Sequence, residues 1–167
     1  MVEVRAASPA DAAAIRHVLC SAFPTPAEAD LVEALDRDGD QMVSLVAVDG
    51  ATIVGHILFS RMAVQADDRA LAGLGLGPVA VTPERQGEGI GSALIEAGLL
   101  AAGSIGTWIV FVLGEPDYYG RFGFDARTAR PFASPYAGPY FQAKMLGTVK
   151  TPASGRADYA PAFAGLS

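Results

Sequence analysis

The chain has 167 residues, is 51% hydrophobic and 18% charged, and carries a formal net charge of −6. It is too apolar for a disordered chain and long enough to bury a core without disulfides or a metal. The acidic balance argues against general binding to nucleic acid or to anionic membranes, so an anionic ligand would have to be held by local donors.

Residues 2–5 alternate like a short strand. Ser8-Pro9-Ala10-Asp11 supplies an N-cap, a proline at the first helical position and an acid in the first turn, which predicts a helix over residues 9–20. Cys20, the only cysteine, follows Ile15, Val18 and Leu19 in that pattern and is expected to be a buried, inert thiol. A lone cysteine makes no intramolecular disulfide, which fits a cytoplasmic setting. With only His17 and His56 besides it, no His/Cys metal site is expected. The N-terminus lacks the basic stretch and apolar core of a signal peptide, and no apolar run approaches the ~20 residues of a membrane span.

Thr25-Pro26-Ala27-Glu28 reads as a capping box that opens a second helix to about Asp36. Residues 42–48 form a strand that ends at the hairpin dipeptide Asp49-Gly50. The return strand covers residues 52–64 and is long enough for a bulge near His56 or Ser60. Residues 70–81 complete an antiparallel meander, with Gly73, Gly75 and Gly77 spaced for tight packing on one face. After a glycine-rich loop, a helix spans residues 92–102 with Leu94, Ile95, Leu99 and Leu100 as its stripe. The apolar run 107–113 is a strand covered on both faces. A short helix or turn at residues 116–121, a strand beginning at Phe124 and another over residues 141–149 follow. The tail from Lys150 is rich in Pro, Gly, Ser and Ala, and Phe163 is its aromatic candidate for docking.

The loop after Val79-Ala80-Val81 carries the chemistry. Its sequence is Pro83-Glu84-Arg85-Gln86-Gly87-Glu88-Gly89-Ile90-Gly91-Ser92. Glycines strip side chains from such a loop, so main-chain N–H groups and the following helix end can hold an anion without basic net charge. A P-loop would need a lysine here, but the only lysines are Lys144 and Lys150. A dinucleotide loop would need a different glycine spacing and an acid at the end of the next strand, which ends at Leu113-Gly114.

Gln86-x-x-Gly89-x-Gly91 after a strand ending Val-Ala-Val-x-Pro resembles the pyrophosphate motif of the GNAT N-acetyltransferase superfamily. Tyr118-Tyr119-Gly120-Arg121-Phe122-Gly123-Phe124 resembles the Tyr-x-Arg/Lys-x-Gly-Phe segment after the fifth strand of that superfamily. Within it, the chain resembles the small acetyltransferases with Leu-Gly-Pro-x-Ala-Val before the loop and Tyr-Tyr-x-Arg-Phe-Gly-Phe after it. The resemblance implies an α/β (α+β) fold. A mixed, mostly antiparallel central sheet of about six to seven strands would be flanked by about four helices. It covers residues 1–149 as a single domain and leaves residues 150–167 as a C-terminal extension, whose docking is open.

The resemblance further implies acetyl-CoA as cosubstrate, no metal, and an amine acceptor on a small molecule or a protein, in a monomer or a homodimer. Main-chain groups of Val79, Ala80 and Val81 would grip the pantetheine arm. Arg85, Gln86, Gly87, Glu88, Gly89, Ile90, Gly91 and Ser92 would surround the pyrophosphate, Glu88 through its backbone alone. Tyr119 matches the general acid. Its ordinary pKa of ~10 lies above the ~8.5 of a thiol, so it keeps a proton for a departing thiolate. The base is open among Glu28, Glu33, Glu115, His56 and a water chain. Glu28, Asp30 and Glu33 would draw a cationic amine toward the loop between the first two helices. A sensor that binds acyl-CoA without turnover, or an enzyme for a longer acyl-CoA, are the rival functions.

Overall fold

A computed structural model describes residues 1–148 and 150–165. Its elements run β1 (Val2–Ala6), α1 (Ala12–Ala22), α2 (Ala27–Arg37), β2 (Gln41–Asp49), β3 (Thr52–Ala66), β4 (Arg69–Val81) and α3 (Ile90–Ser104). They continue with β5 (Ile109–Leu113), α4 (Pro116–Tyr119), α5 (Ala126–Ala129), β6 (Phe132–Ala133), β7 (Phe141–Met145) and β8 (Gly155–Asp158). The strands form an eight-stranded sheet in the order β1-β2-β3-β4-β5-β7, with β8 paired to both β3 and β6. The β4–β5 and β6–β8 pairs are parallel and the rest antiparallel.

Ser8 is the N-cap and Pro9 the first residue as expected, but Pro9–Asp11 is a 3-10 turn that leads into α1. The Asp11 carboxylate accepts from the Ser8 amide at 2.8 Å and from the Arg5 guanidinium at 2.8 and 3.1 Å. These contacts tie α1 to β1 and hold Asp11 well below the usual carboxylate range, Arg5 being the larger cause. The capping box expected at Thr25 and Glu28 does not form. Pro26 is the N-cap of α2, and the Thr25 hydroxyl accepts from the Ala27 amide at 3.3 Å. With the cap at Pro26 the third helical residue is Ala29, which has no side-chain acceptor to return to the cap.

One sheet face lies under α3. Leu74, Leu76, Val110 and Val112 meet Ile90, Leu94 and Ile95 there. The opposite face is shared. α1 and α2 cover Val46, Leu58 and Ala80. The rest is covered by α5, β6 and β8, with Met62, Ile109, Phe111, Phe132 and Phe141 in the core. The C-terminal segment crosses this boundary, since Tyr159 packs with the second group while Ala160 and Phe163 pack with the first. β8 takes over the edge of β3 at Ala63–Ala66, beyond the last residue that pairs with β2.

Several expectations are corrected. Cys20 is exposed, because it lies one step, roughly 100°, around α1 from buried Leu19. Leu100 is 78% exposed, because it lies roughly 200° around α3 from Gly98 on the packed stripe. Phe124 starts no strand; Asp125 makes a single bridge to Ala143 and then caps α5. β7 ends at Met145, and Val149, the expected end of that strand, lies outside the described residues, as do Leu166 and Ser167 of the extension. The bulge expected around His56 or Ser60 has a counterpart, since the irregularities of β3 cluster at these positions. Register shifts place an extra residue on β2 between Gln41 and Val43, on β3 between Ile53 and Gly55, and on β4 between Leu76 and Val79. Gly77 belongs to this last irregularity, with φ +142°, while Gly73 and Gly75 do share a face against side chains.

Gly98 sits inside α3, where glycine costs about 1 kcal/mol relative to alanine. A methyl group there would overlap the Phe59 ring, so the missing side chain lets α3 settle on the sheet. Gly98→Val is expected to destabilise the protein by about 1–3 kcal/mol through overpacking. Thermal unfolding should show Tm several degrees lower; an unchanged Tm would contradict this seating of α3.

Candidate functional site

The site begins where two strands part. β4 and β5 pair from Gly73–Ile109 to Leu76–Val112 and no further. β4 continues along β3 alone, with Val79, Ala80 and Val81 opposite Ile57, His56 and Gly55. The Thr82 amide donates to the Val54 carbonyl at 2.9 Å, so peptide groups at even positions here address β3. By alternation those of Val79 and Val81 turn to the side that β5 has left. The Gln86 side-chain amide donates to the Val81 carbonyl at 3.1 Å, which agrees with that direction and ties the loop back to the strand.

The bulge also resets which side chains face which layer. Leu74 and Leu76 point to α3 before it; Val79 and Val81 do so after it, leaving Ala80 on the opposite face. A one-residue slip moves every following side chain across the sheet.

The loop then delivers the end of a long helix into the mouth of this gap. Gly87 and Gly89 have φ of +81° and +83°, a left-handed conformation that side chains resist. Gly89 is the N-cap of α3 and offers no side chain to its first-turn N–H groups, which have no acceptor within the helix. These amides and the positive end of the α3 dipole face the same opening. Gly91 lies next to the second motif, since a Cβ there would stand 3.4 Å from the Tyr118 hydroxyl, in contact with it.

The second sequence motif closes on the first. A cleft of about 360 Å³ is lined by Val81, residues 85–87 and 89–92, Tyr118 and Arg121. Arg121 donates to the Ser92 hydroxyl at 2.9 Å and lies over the Tyr118 ring at 5.1 Å. Arg85 is committed elsewhere: it donates to Asp49 at 2.8 Å and to both Glu88 oxygens at 3.1 Å. Its charge is balanced, and Glu88 turns its carboxylate to Arg85. Arg121 is therefore the cation left beside the loop among the described residues. Reading for anion donors within the glycine loop alone misses it; the signal was its place in the Tyr-x-Arg pattern.

Tyr119 packs its ring on the Gly114 backbone just past β5, edge-on to Tyr118 at 5.0 Å and to Phe124 at 6.0 Å. Burial, and then the neighbouring Tyr118, push its hydroxyl pKa above the ordinary value. It therefore stays protonated throughout the neutral range.

The remaining candidates lie on the face opposite α3. Glu33 and His56 line a different cleft, of about 370 Å³, between α1, α2 and the sheet. Arg16 pairs with both Asp30 and Glu33 at 3.1 Å, so two of the three acids expected to attract a cationic amine are neutralised. His56 is fully buried, with Nε2 3.0 Å from the Ser44 hydroxyl and Nδ1 without a partner among the described residues. Burial drives its pKa down to about 4. Glu28 keeps one buried carboxylate oxygen without a partner. It precedes Leu31, Val32 and Leu35 on the core side of α2 by three, four and seven residues. No group of three or more His, Cys, Asp or Glu that could hold a metal ion occurs among the described residues, and no helix there is long and apolar enough to cross a membrane.

Comparison with known proteins agrees with this geometry. The family model described as an acetyltransferase (GNAT) domain matches residues 3–127. The chain is 37% identical over 123 residues to the uncharacterized N-acetyltransferase YhbS of Escherichia coli K12, covering 73% of this chain and 72% of that protein. It is 40% identical over 133 residues to the uncharacterized N-acetyltransferase YjhQ of the same strain, covering 77% and 73%. The crystal structure of E. coli YhbS in complex with CoA superposes with a TM-score of 0.87 at 29% identity, over 99% of this chain and 93% of that one. A GNAT family acetyltransferase from Brucella melitensis in complex with acetyl-CoA gives 0.80 at 35% identity, over 98% of both chains. The sheet and its flanking helices are thus those of the GNAT fold.

His56 gives the region a pH signature. Its folded pKa lies below the ~6.5 of an exposed histidine, so the unfolded chain takes up a proton first as pH falls. The stabilisation is complete above pH ~6.5 and is lost as pH drops toward 4. Unfolding free energy from urea titrations is expected to fall by about 2 kcal/mol between pH 7 and pH 5, with His56→Gln removing most of that slope. Equal slopes in the two proteins would contradict a buried, neutral His56.

Proposed function

The chain belongs to the GNAT acetyltransferase family, and on that premise we propose that it transfers an acetyl group from acetyl-CoA to a primary amine. The observation that carries the proposal is the convergence of two motifs, about 30 residues apart, on one cleft beside an open strand edge. The CoA and acetyl-CoA complexes of the two similar structures support the donor.

Acetyl-CoA supplies the activated acyl carbon, and each part of the site has a task toward it. The outward peptide groups of Val79 and Val81 bind the amide-rich pantetheine arm as a further strand would. One of these N–H groups also polarises the thioester carbonyl. The amides of Gly87, Glu88, Gly89, Ile90, Gly91 and Ser92 hold the pyrophosphate with the α3 dipole, and Arg121 adds the cation that Arg85 cannot. Gln86 fixes the loop to Val81 and so sets the distance between these two grips.

The amine nitrogen forms the new bond to the acyl carbon as the carbon–sulfur bond breaks. Tyr119 gives its phenolic proton to the leaving sulfur. The proton released by the amine goes to Glu28. Glu33 is paired with Arg16, His56 is enclosed and Glu115 is exposed, whereas Glu28 holds a buried acceptor oxygen with no partner among the described residues.

Calorimetric titration with acetyl-CoA and thiol release with a panel of primary amines test the whole reading. Binding without thiol release from any amine would favour the sensor; absence of binding would overturn both. Tyr119→Phe is expected to lower kcat by about 10-fold or more with acetyl-CoA affinity nearly unchanged. An unchanged kcat would remove Tyr119 as the acid. Gly89→Val forces a branched side chain into a left-handed conformation and should weaken acetyl-CoA binding by about 10-fold or more. Wild-type affinity in that variant would contradict the role of the loop.

A further inference from the structure

Resting on the slot being an acyl-CoA site, we propose that Tyr159, brought in by the C-terminal segment, is the stop that ends the acyl pocket and restricts the donor to short acyl thioesters. The segment is fixed at both ends of this residue. β8 pairs its Ala157 and Asp158 with Val64 and Ala63 of β3, and the following turn, Pro161–Gly165, packs its Phe163 against α1 and α2.

Between these anchors the Tyr159 ring lies over Gly75. A Cβ at Gly75 would stand 2.6 Å from the ring and 3.1 Å from the Met62 sulfur, so a side chain at residue 75 would displace the ring. Gly75 sits on β4 opposite Phe111, one residue before the Leu76–Val112 pair at which the strands part. One strand residue is about 3.3 Å, less than the width of an aromatic ring. The ring therefore fills the volume at the apex of the slot on the face away from α3.

Tyr136, edge-on at 5.4 Å, and Phe163 at 4.9 Å brace the ring from outside. Burial, and then the neighbouring Tyr136 and Tyr119, raise the Tyr159 hydroxyl pKa and keep it neutral. An acyl group in the slot thus meets the Tyr159 ring at the apex, with close-packed Met62 beside it.

The test is calorimetric binding of CoA, acetyl-CoA and hexanoyl-CoA to the wild type and to Tyr159→Phe, Tyr159→Leu and Tyr159→Ala. The wild type and Tyr159→Phe should bind hexanoyl-CoA about 10-fold or more weakly than acetyl-CoA. Tyr159→Leu and Tyr159→Ala should bring the two thioesters to within about twofold, with affinity for CoA itself held within about twofold in every protein. Tyr159→Leu keeps apolar volume and serves if the alanine variant does not fold. A wild type that accepts hexanoyl-CoA as well as acetyl-CoA, an unchanged ratio in the truncated variants, or loss of CoA binding along with the thioesters would each overturn the proposal. Failure of the wild type to bind CoA would instead overturn the acyl-CoA reading on which it rests.

Discussion

The parting of β4 from β5 after Leu76 and Val112 is the constraint on which the site depends. Inside a sheet, main-chain N–H and C=O groups are paired with a neighbouring strand, because leaving them unpaired and away from water costs free energy. Here the register shift between Leu76 and Val79 turns the peptide groups of Val79 and Val81 outward just where β5 stops following. The strand edge is left open in the interior of the sheet rather than at its rim. Gln86 satisfies one carbonyl of that edge, which shows how the loop and the strand act as one surface.

Electrostatics follow from the same economy of side chains. An acidic chain holds an anion best with groups that no acid can neutralise. Arg85 is absorbed by Asp49 and Glu88, and Arg16 by Asp30 and Glu33. Main-chain amides at the start of α3 have no such competitors. Arg121 escapes because it is stacked on Tyr118 and aimed at Ser92, away from the acidic residues. The charge of −6 therefore says little about the ligand; the placement of unneutralised donors says more.

Much of this was legible in the sequence because it is local. The glycine loop, its flanking strand and helix, the Asp49-Gly50 hairpin and the tyrosine motif are written in consecutive residues, and the structure brings the two motifs into one cleft. What escaped is set by tertiary geometry. The β4 bulge depends on a one-residue mismatch with β3 that no residue type announces, so Gly77 read as packing when it is part of the bulge. Thr25 and Glu28 carried a capping pattern, yet Pro26 occupies the cap and frees Glu28. Cys20 and Leu100 fell within apolar runs but outside the face that packs. Arg121 and Tyr159 have their meaning only through contacts across long chain separations, and the tail around Tyr159 has no periodicity to read.

The most direct test of the central claim is residue-resolved amide hydrogen exchange with and without acetyl-CoA. The account predicts that added acetyl-CoA protects the amides of Val79 and Val81 together with those of Gly87 to Ser92, while the amides of Ala80 and Thr82, already directed at β3, change little. Protection confined to other parts of the sheet, or none at Val79 and Val81 while acetyl-CoA binds, would contradict the open strand edge as the site.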